Sequence, residues 1–267
     1  MVGTRRCWIA AALLATFLCL LVPAYTSAEE PTVSRTTFFS KPEIDQIRTK
    51  SLQVREMPAA GPDGWSRSNV DPMDVLAVFS PLRLKEAYAL VGYRLVLLGN
   101  GKGVVYAVPK GRAVPIPEDV WEEPRPPECL EDVMDAIEGD HSPWSYLCAS
   151  ILQREFQEFG AMWHGRNWST HMVLDSDPWQ PGRKAMEDEF SQMPVGDSGT
   201  WKWAEPKPKE WRPWVRIDQD AVEVTIYTHS CLGRQAIYRH TDVFRPGSYR
   251  FSTQSTVIAQ GPGQMYF

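Results

Sequence analysis

Four histidines, His164, His171, His229 and His240, are the side chains of this sequence best placed for chemistry, because carboxylates accompany them. Asp175 and Asp177 follow the first pair, and Glu223 and Asp242 flank the second. Imidazole and carboxylate are the ligand types that zinc or iron requires, so all four histidines are metal candidates. Against that, there is no HExxH, and the separation of His164 from His171 across a helix end fixes no shared face. The plainer alternative is that the histidines bond backbone carbonyls or cap a helix. Glu223 and His240 are the candidates for general acid–base work, which needs only two such groups in a cleft. No nucleophile motif accompanies them, and no motif specifies a cofactor.

Turn residues suggest how these groups meet. A four-residue loop at 230–233 sets Glu223 opposite His240, Thr225 opposite Tyr238 and Tyr227 opposite Ala236. A type II turn at 245–248 sets Asp242 opposite Phe251 and His240 opposite Thr253. One sheet face then gathers Glu223, Tyr227, His229, Tyr238, His240, Asp242, Tyr249 and Phe251, a mixture suited to a cavity in which a few polar groups orient a ligand against apolar walls. The pairing is sensitive to loop length, since a one-residue slip moves every side chain to the other face. With Trp163, His164, Trp168 and His171, the residues Tyr227, His229, Tyr238, His240 and Asp242 form the candidate ligand-binding set.

The elements that must position these groups are legible in the spacing. Ser142 is a good N-cap and Pro143 a good first helical residue. Trp144, Cys148, Leu152, Phe156, Phe159 and Trp163 recur at spacings of three and four, with Gln153, Arg154, Gln157 and Glu158 opposite, which predicts a surface helix docked on a core. Gly160 or Gly165 ends it, and a turn leads into a short strand at 171–174. Val222, Val224, Ile226 and Ile237 offer this helix an apolar sheet face, leaving the aromatic and titratable face free as a site.

Upstream, Asp71-Pro72-Met73-Asp74 and Ser80-Pro81 each predict a helix start, the second helix running to about residue 90. Asn100-Gly101 predicts a type I′ hairpin with Leu97 facing Val104, Leu95 facing Tyr106 and Tyr93 facing Val108, apolar on both faces. A short acidic helix is expected at 128–138, a helical turn at 184–190 and a further turn at 261–263. Trp201, Trp203, Trp211 and Trp214 either form a platform for sugar rings or close one end of the sheet.

These elements predict an α+β fold, with helices packed on a mainly antiparallel sheet that ends in a C-terminal three- to four-stranded meander. The domain spans residues 71–267 after an extended arm at 29–70 that carries at most one helical turn, near 43–50. Residues 1–28 read as a cleaved export signal: Arg5 and Arg6, an apolar run at 7–22, then Thr26-Ser27-Ala28. The arginine pair followed by Trp8-Ile9 also resembles the twin-arginine export motif. A periplasmic or extracellular location is expected, with no membrane span after cleavage, since the apolar run falls short of the roughly 20 residues a spanning helix wants. A net charge of −5 and the lack of a lysine-arginine cluster argue against nucleic-acid binding. Three cysteines outlast the signal, Cys129, Cys148 and Cys231, so at most one internal disulfide can form, with Cys129–Cys148 the expected pairing. The functional expectation is a binding or structural module, with a carbohydrate or small amphiphile as ligand. The alternative is a hydrolase or metal-dependent enzyme.

Overall fold

The computed structural model describes residues 34–55, 63–98, 100–117, 120–162, 165–179 and 198–265. Three helices stand among the described residues, α1 (Lys41–Arg55), α2 (Pro72–Ala77) and α3 (Pro143–Gln157). The strands are β1 (Arg35–Phe38), β2 (Gly64–Arg67), β3 (Leu82–Leu84), β4 (Tyr88–Leu97), β5 (Asn100–Pro109), β6 (Ile137–Gly139), β7 (Met172–Leu174), β8 (Lys202–Trp203), β9 (Trp214–Ile217), β10 (Val222–Ser230), β11 (Gly233–Phe244) and β12 (Phe251–Met265). The large sheet runs β1-β9-β10-β11-β12-β8, with β7 also paired to β10, and every pairing in it is antiparallel. A second sheet is β2-β4-β5, and β3 pairs with β6. No helix among the described residues is long and apolar enough to cross a membrane.

Capping chemistry places the helices. Ser142 accepts from the Ser145 N–H at 3.1 Å at the start of α3, and Asp71 accepts from the Met73 N–H at the start of α2. The same logic operates in the stretch expected to be an extended arm, which instead supplies β1, α1 and β2. Its signal is Ser40-Lys41-Pro42-Glu43: the Glu43 carboxylate accepts from the Ser40 N–H at 3.0 Å, the return half of a capping box. Conversely, Ser80-Pro81 opens no helix. Leu82-Arg83-Leu84 alternates buried, exposed and half-buried, and pairs with β6 as a strand. The acidic segment at 128–138 holds only the short 3-10 helix Val133–Ala136 before β6. The helical turn expected at 184–190 lies outside the described residues.

Helix α3 is not a surface helix. Tyr146, Leu147, Cys148, Ala149, Ile151, Leu152, Arg154, Glu155 and Phe156 are all buried, leaving Gln153 half-buried and Gln157 exposed. The apolar residues at 146–149 and 151–152 exceed a single stripe, and a helix apolar nearly all round belongs inside. Its side chains share one core with Val222, Val224 and Ile226 of β10, Phe244 of β11, and Val75, Leu76 and Phe79 from α2 and the turn after it.

The β4–β5 hairpin turns at Leu98, whose φ is +49°, rather than at Asn100-Gly101, and Tyr93 faces Val104 instead of Val108. That four-residue slip is even, so each side chain keeps its face. Tyr93, Leu95, Val104, Tyr106 and Val108 pack with Trp65 on one side, while Leu90, Val105 and Ala107 meet the α3 core on the other. The glycines in β5 answer a different need. A Cβ on Gly103 would lie 2.0 Å from the Phe159 carbonyl oxygen, and Gly101 accepts from the Met162 N–H at 3.0 Å. The chain just beyond α3 thus rests directly on the hairpin backbone.

Where a turn was expected at 261–263, β12 continues as strand but its pairing with β11 shifts register, three residues lying opposite Gln235, before it resumes as far as Met265. Cys129 and Cys148 are free thiols, not a disulfide: Cys148 lies in the α3 core and Cys129 against the separate cluster around Tyr93. Replacing Phe156 by Ala is expected to cost roughly 3–5 kcal/mol in urea unfolding, as for other fully buried aromatics. Gly103→Ala should also unfold at markedly lower urea. A wild-type midpoint for Gly103→Ala would show that the two backbones are not in contact.

Candidate functional site

The first turns of the site are set by two arginines of α1. Arg55 donates from Nε to Glu155 Oε2 at 2.7 Å and from Nη2 to Glu158 Oε2 at 3.0 Å, with both carboxylates on the buried side of the α3 terminus. Glu155 Oε1 accepts from Trp168 Nε1 at 3.0 Å, and Glu158 accepts from the backbone N–H groups of Asn167 and Ser169. Arg48 donates to the carbonyls of His171 and Trp168 at 2.7 and 2.8 Å, and its guanidinium lies 4.3 Å from the Trp168 ring centroid. Segment 167–171 is therefore fixed from two helices before β7 begins.

On the sheet, Arg154 makes a two-pronged pair with Asp242, at 2.6 and 3.0 Å, and Ser150 adds a third bond to that carboxylate. Such bidentate pairs are the strong ones. His240 sits beside them, 5 % exposed, with Nε2 2.9 Å from Thr228 Oγ1 and Nδ1 2.8 Å from Ser255 Oγ. His171 Nδ1 reaches the same Thr228 oxygen at 2.8 Å. The Trp168 ring meets His240 edge-on at 5.6 Å, and Tyr238 lies 4.7 Å from His171 and stacks on His240 at 6.0 Å. Burial and the neighbouring charges of Arg154 and Arg48 push the His240 imidazole down to about 3. Burial, with His240 and the same arginines, holds His171 well below its ordinary value. Both rings are neutral, and a base as weak as His240 is poorly matched to proton abstraction near neutrality.

Part of the expected set comes together and part does not. Trp168, His171, Tyr238 and His240 form one cluster, joined to Asp242 through Arg154. The face expected around Glu223 and His240 is split, because His240 pairs with Ile226 and Glu223 with Val243, a three-residue slip from the expected register. An odd slip reverses faces. His240 and Asp242 thus share a face with Val222, Val224 and Ile226 towards α3, while Glu223, Tyr227 and His229 lie on the other face. There Glu223 pairs with Arg216 at 2.6 Å, Tyr227 meets Trp211 and His229 meets Trp201. Between β11 and β12 the slip is two residues, His240 facing Ser255 in place of Thr253, so those faces survive. Trp163 and His164 lie outside the described residues. Among the described residues no three His, Cys, Asp or Glu side chains are grouped to hold a metal.

The tryptophans close the sheet. Trp201 and Trp203 pack with Trp179 around Ile237, Ile258 and Ala259, and Trp211 covers Tyr227. Trp201 and Trp211 are buried, so neither offers a free stacking face.

No protein-family model, curated protein or solved structure matches the chain.

A cavity of about 130 Å³ opens beside the cluster, lined by Gln153, Asn167, Trp168, His240, Phe251 and Ser255 among others. A larger cleft of about 660 Å³ runs between α3 and β5, past Val104, Tyr106, Phe156 and Arg250. Both are walled by Gln153 and Gln157, so they meet along the accessible side of α3. A third cavity of about 280 Å³, behind the cluster, is lined by Arg48, Arg55, Ser169 and His171. Sequence reasoning missed Arg48, Arg55, Glu155, Thr228 and Ser255, and placed Arg154 and Glu158 on a solvated face. The available signal was the i,i+4 spacing of Ser51 with Arg55 and of Ser150 with Arg154, the second pair lying on a helix that is otherwise largely apolar.

The histidines make stability depend on pH in a definite direction. Both folded values lie below the ordinary 6.5, that of His240 at about 3, so on the acid side of 6.5 the unfolded chain binds more protons than the folded one. Their stabilising contribution is full above about pH 6.5 and is lost as pH falls towards the folded value. His240→Asn should flatten this limb of a Tm-against-pH curve relative to wild type. Parallel curves for the two proteins would show that His240 is not held neutral.

Proposed function

We propose that the protein is an exported α+β binding module, its helices seated on the antiparallel sheet and its C-terminal meander forming the site's back wall. The ligand lies in the groove along α3, and carbohydrate is the class we favour. One observation carries this reading: Gln153 Oε1 is buried without a hydrogen-bond partner, in the wall common to both clefts. A buried amide oxygen left unpaired is costly unless something donates to it. Around it stand the amides of Gln157 and Asn167, the hydroxyls of Thr253 and Ser255, and the rings of Tyr106 and Phe251. Amides and hydroxyls match the alternating donors and acceptors of a sugar, and ring edges match its C–H surface. A small amphiphile is less well served, because the wall near Gln153 is dominated by polar groups. A hydrolase reading is weaker again, since Glu223 and His240 lie on opposite faces and both His240 nitrogens are engaged. Export rests on Arg5, Arg6, the apolar run at 7–22 and Thr26-Ser27-Ala28.

A panel of mono- and oligosaccharides, titrated into labelled protein and followed by amide chemical shifts, tests the groove. Binding should move resonances of α3 around Gln153 and Gln157 and of β12 around Ser255. The Gln153→Ala, Gln157→Ala double variant should lose at least about tenfold in affinity while keeping its urea midpoint, as partly exposed substitutions usually do. Shifts confined to the Trp201–Trp203 end, or affinity indifferent to both glutamines, would overturn the proposal. Separately, fractionation of cells producing tagged protein should find a shortened product outside the cytoplasm. A full-length product retained in the cytoplasm would remove the export reading.

A further inference from the structure

We propose that Ser255, His240, Thr228 and His171 form a reversible proton relay laid across the sheet, in which the single hydroxyl proton of Thr228 holds both imidazoles in the same tautomer. The relay rests on hydrogen bonds alone and does not require the groove to take a sugar. Its members come from successive positions in the sheet: His171 immediately before β7, Thr228 on β10, His240 on β11 and Ser255 on β12, directly opposite His240. The links are 2.8, 2.9 and 2.8 Å, each within ordinary hydrogen-bond range.

Proton counting fixes the tautomers. Thr228 is 0 % exposed, and its Oγ1 is shared between His171 Nδ1 and His240 Nε2. A hydroxyl has one proton to give and two lone pairs to receive, and the two imidazoles are the partners of this buried one, so its own proton is paired only when one imidazole accepts from it while the other donates to it. In the first arrangement His171 donates from Nδ1, Thr228 donates to His240 Nε2, and His240 donates from Nδ1 to Ser255. In the second, Ser255 donates to His240 Nδ1, His240 donates from Nε2 to Thr228, and Thr228 donates to His171 Nδ1. Both rings therefore carry hydrogen on Nδ1, or both on Nε2. A mixed pair leaves Thr228 with two donors facing it or with two acceptors competing for one proton.

Passing between the arrangements moves one proton and balances without any other reagent. A proton arriving at His171 Nε2 releases the Nδ1 proton to Thr228 Oγ1. Thr228 passes its own proton to His240 Nε2, and His240 passes its Nδ1 proton to Ser255. The former Ser255 hydroxyl proton then leaves. His171 borders both the cavity lined by Arg48 and the cavity beside Gln153, and Ser255 is exposed on the rim of the second. The relay thus links the Arg48 cavity to the exposed Ser255 while every heavy atom stays in place. Arg48, Arg154, Trp168 and Tyr238 are charged and aromatic groups packed against it, and the Asp242 carboxylate behind Arg154 is already paired.

Long-range proton–nitrogen correlation spectra of the imidazoles, recorded on the nitrogen-15-labelled full chain near neutral pH, test this directly. The expected result is two neutral rings with the same tautomer. One ring protonated on Nδ1 and the other on Nε2 would overturn the relay. Ser255→Ala, a change at an exposed position, should shift the ring nitrogens of His171 as well as those of His240. Thr228→Ser should keep that response, and Thr228→Val should abolish it at His171. Ring nitrogens of His171 that ignore Ser255→Ala in the otherwise wild-type chain would also overturn the proposal, whether or not Thr228→Val folds.

Discussion

The bonds from Arg55 to Glu155 and Glu158 are the constraint on which the rest of this structure depends. All three side chains are almost wholly buried. Removing such charges from water costs several kcal/mol per ion, and their attraction offsets it only where the remaining lone pairs are also satisfied. Here they are. Ser51 and Arg55 share Glu155 Oε2, Trp168 takes Oε1, and Glu158 accepts from Arg55, Asn167 and Ser169. Each carboxylate thus belongs to both the α1–α3 contact and the segment that follows α3. Taking away Arg55 would not simply delete a contact; it would leave two buried anions facing each other across one helical turn.

From that contact the position of the histidine cluster follows. Glu155 orients Trp168, Glu158 holds the backbone at 167–169, and Arg48 ties the carbonyls of Trp168 and His171 to α1. His171 then enters β7 with its ring over Thr228, and β7 is held by its pairing to β10. At the opposite side of α3 the constraint is steric. The missing side chain of Gly103 lets the Phe159 carbonyl settle on β5, which fixes the width of the cleft between α3 and the hairpin. Polar satisfaction sets one wall of the groove and close backbone approach sets the other.

How much of this is legible in the sequence depends on parity and on partners. Local signals are self-contained, so the caps at Ser142 and Asp71 give α3 and α2 their starts. The capping box at Ser40 and Glu43 is equally plain but stands among prolines, which disguise α1 as an arm. Register is a different matter. The hairpin slips by four residues and the β11–β12 pair by two, and because both slips are even each side chain keeps its face. The β10–β11 pair slips by three, which mixes the aliphatic and titratable sets and carries His240 beneath α3. The composition of 230–233 does not settle this, since the last paired residues, Ser230 and Ala236, lie further apart than those four residues suggest. The buried charges of α3 were hidden for another reason. Arg154, Glu155 and Glu158 look like a solvated face until Arg55 and Asp242, distant in sequence, are known to be their partners.

The proposed groove differs from the scaffold behind it in how its polar atoms are paired. Behind the groove, Arg154 saturates Asp242, Arg55 joins Glu155 to Glu158, and the two imidazoles share one hydroxyl. Burial first, and then the charges of Arg154 and Arg48, disfavour a proton on either ring. Neutral rings are what allow Thr228 to act as donor and acceptor at once, because two imidazolium ions would both have to donate to it. A fully satisfied polar network is rigid, and low local dielectric makes any break in it expensive. Gln153, one turn along α3 from Ser150 and adjacent to Arg154, has the opposite character, with a buried oxygen that no protein group fills. The Asp242, Glu155 and Glu158 carboxylates and the His240 imidazole are each bonded behind that amide rim, and it is this contrast on which the proposed binding groove rests.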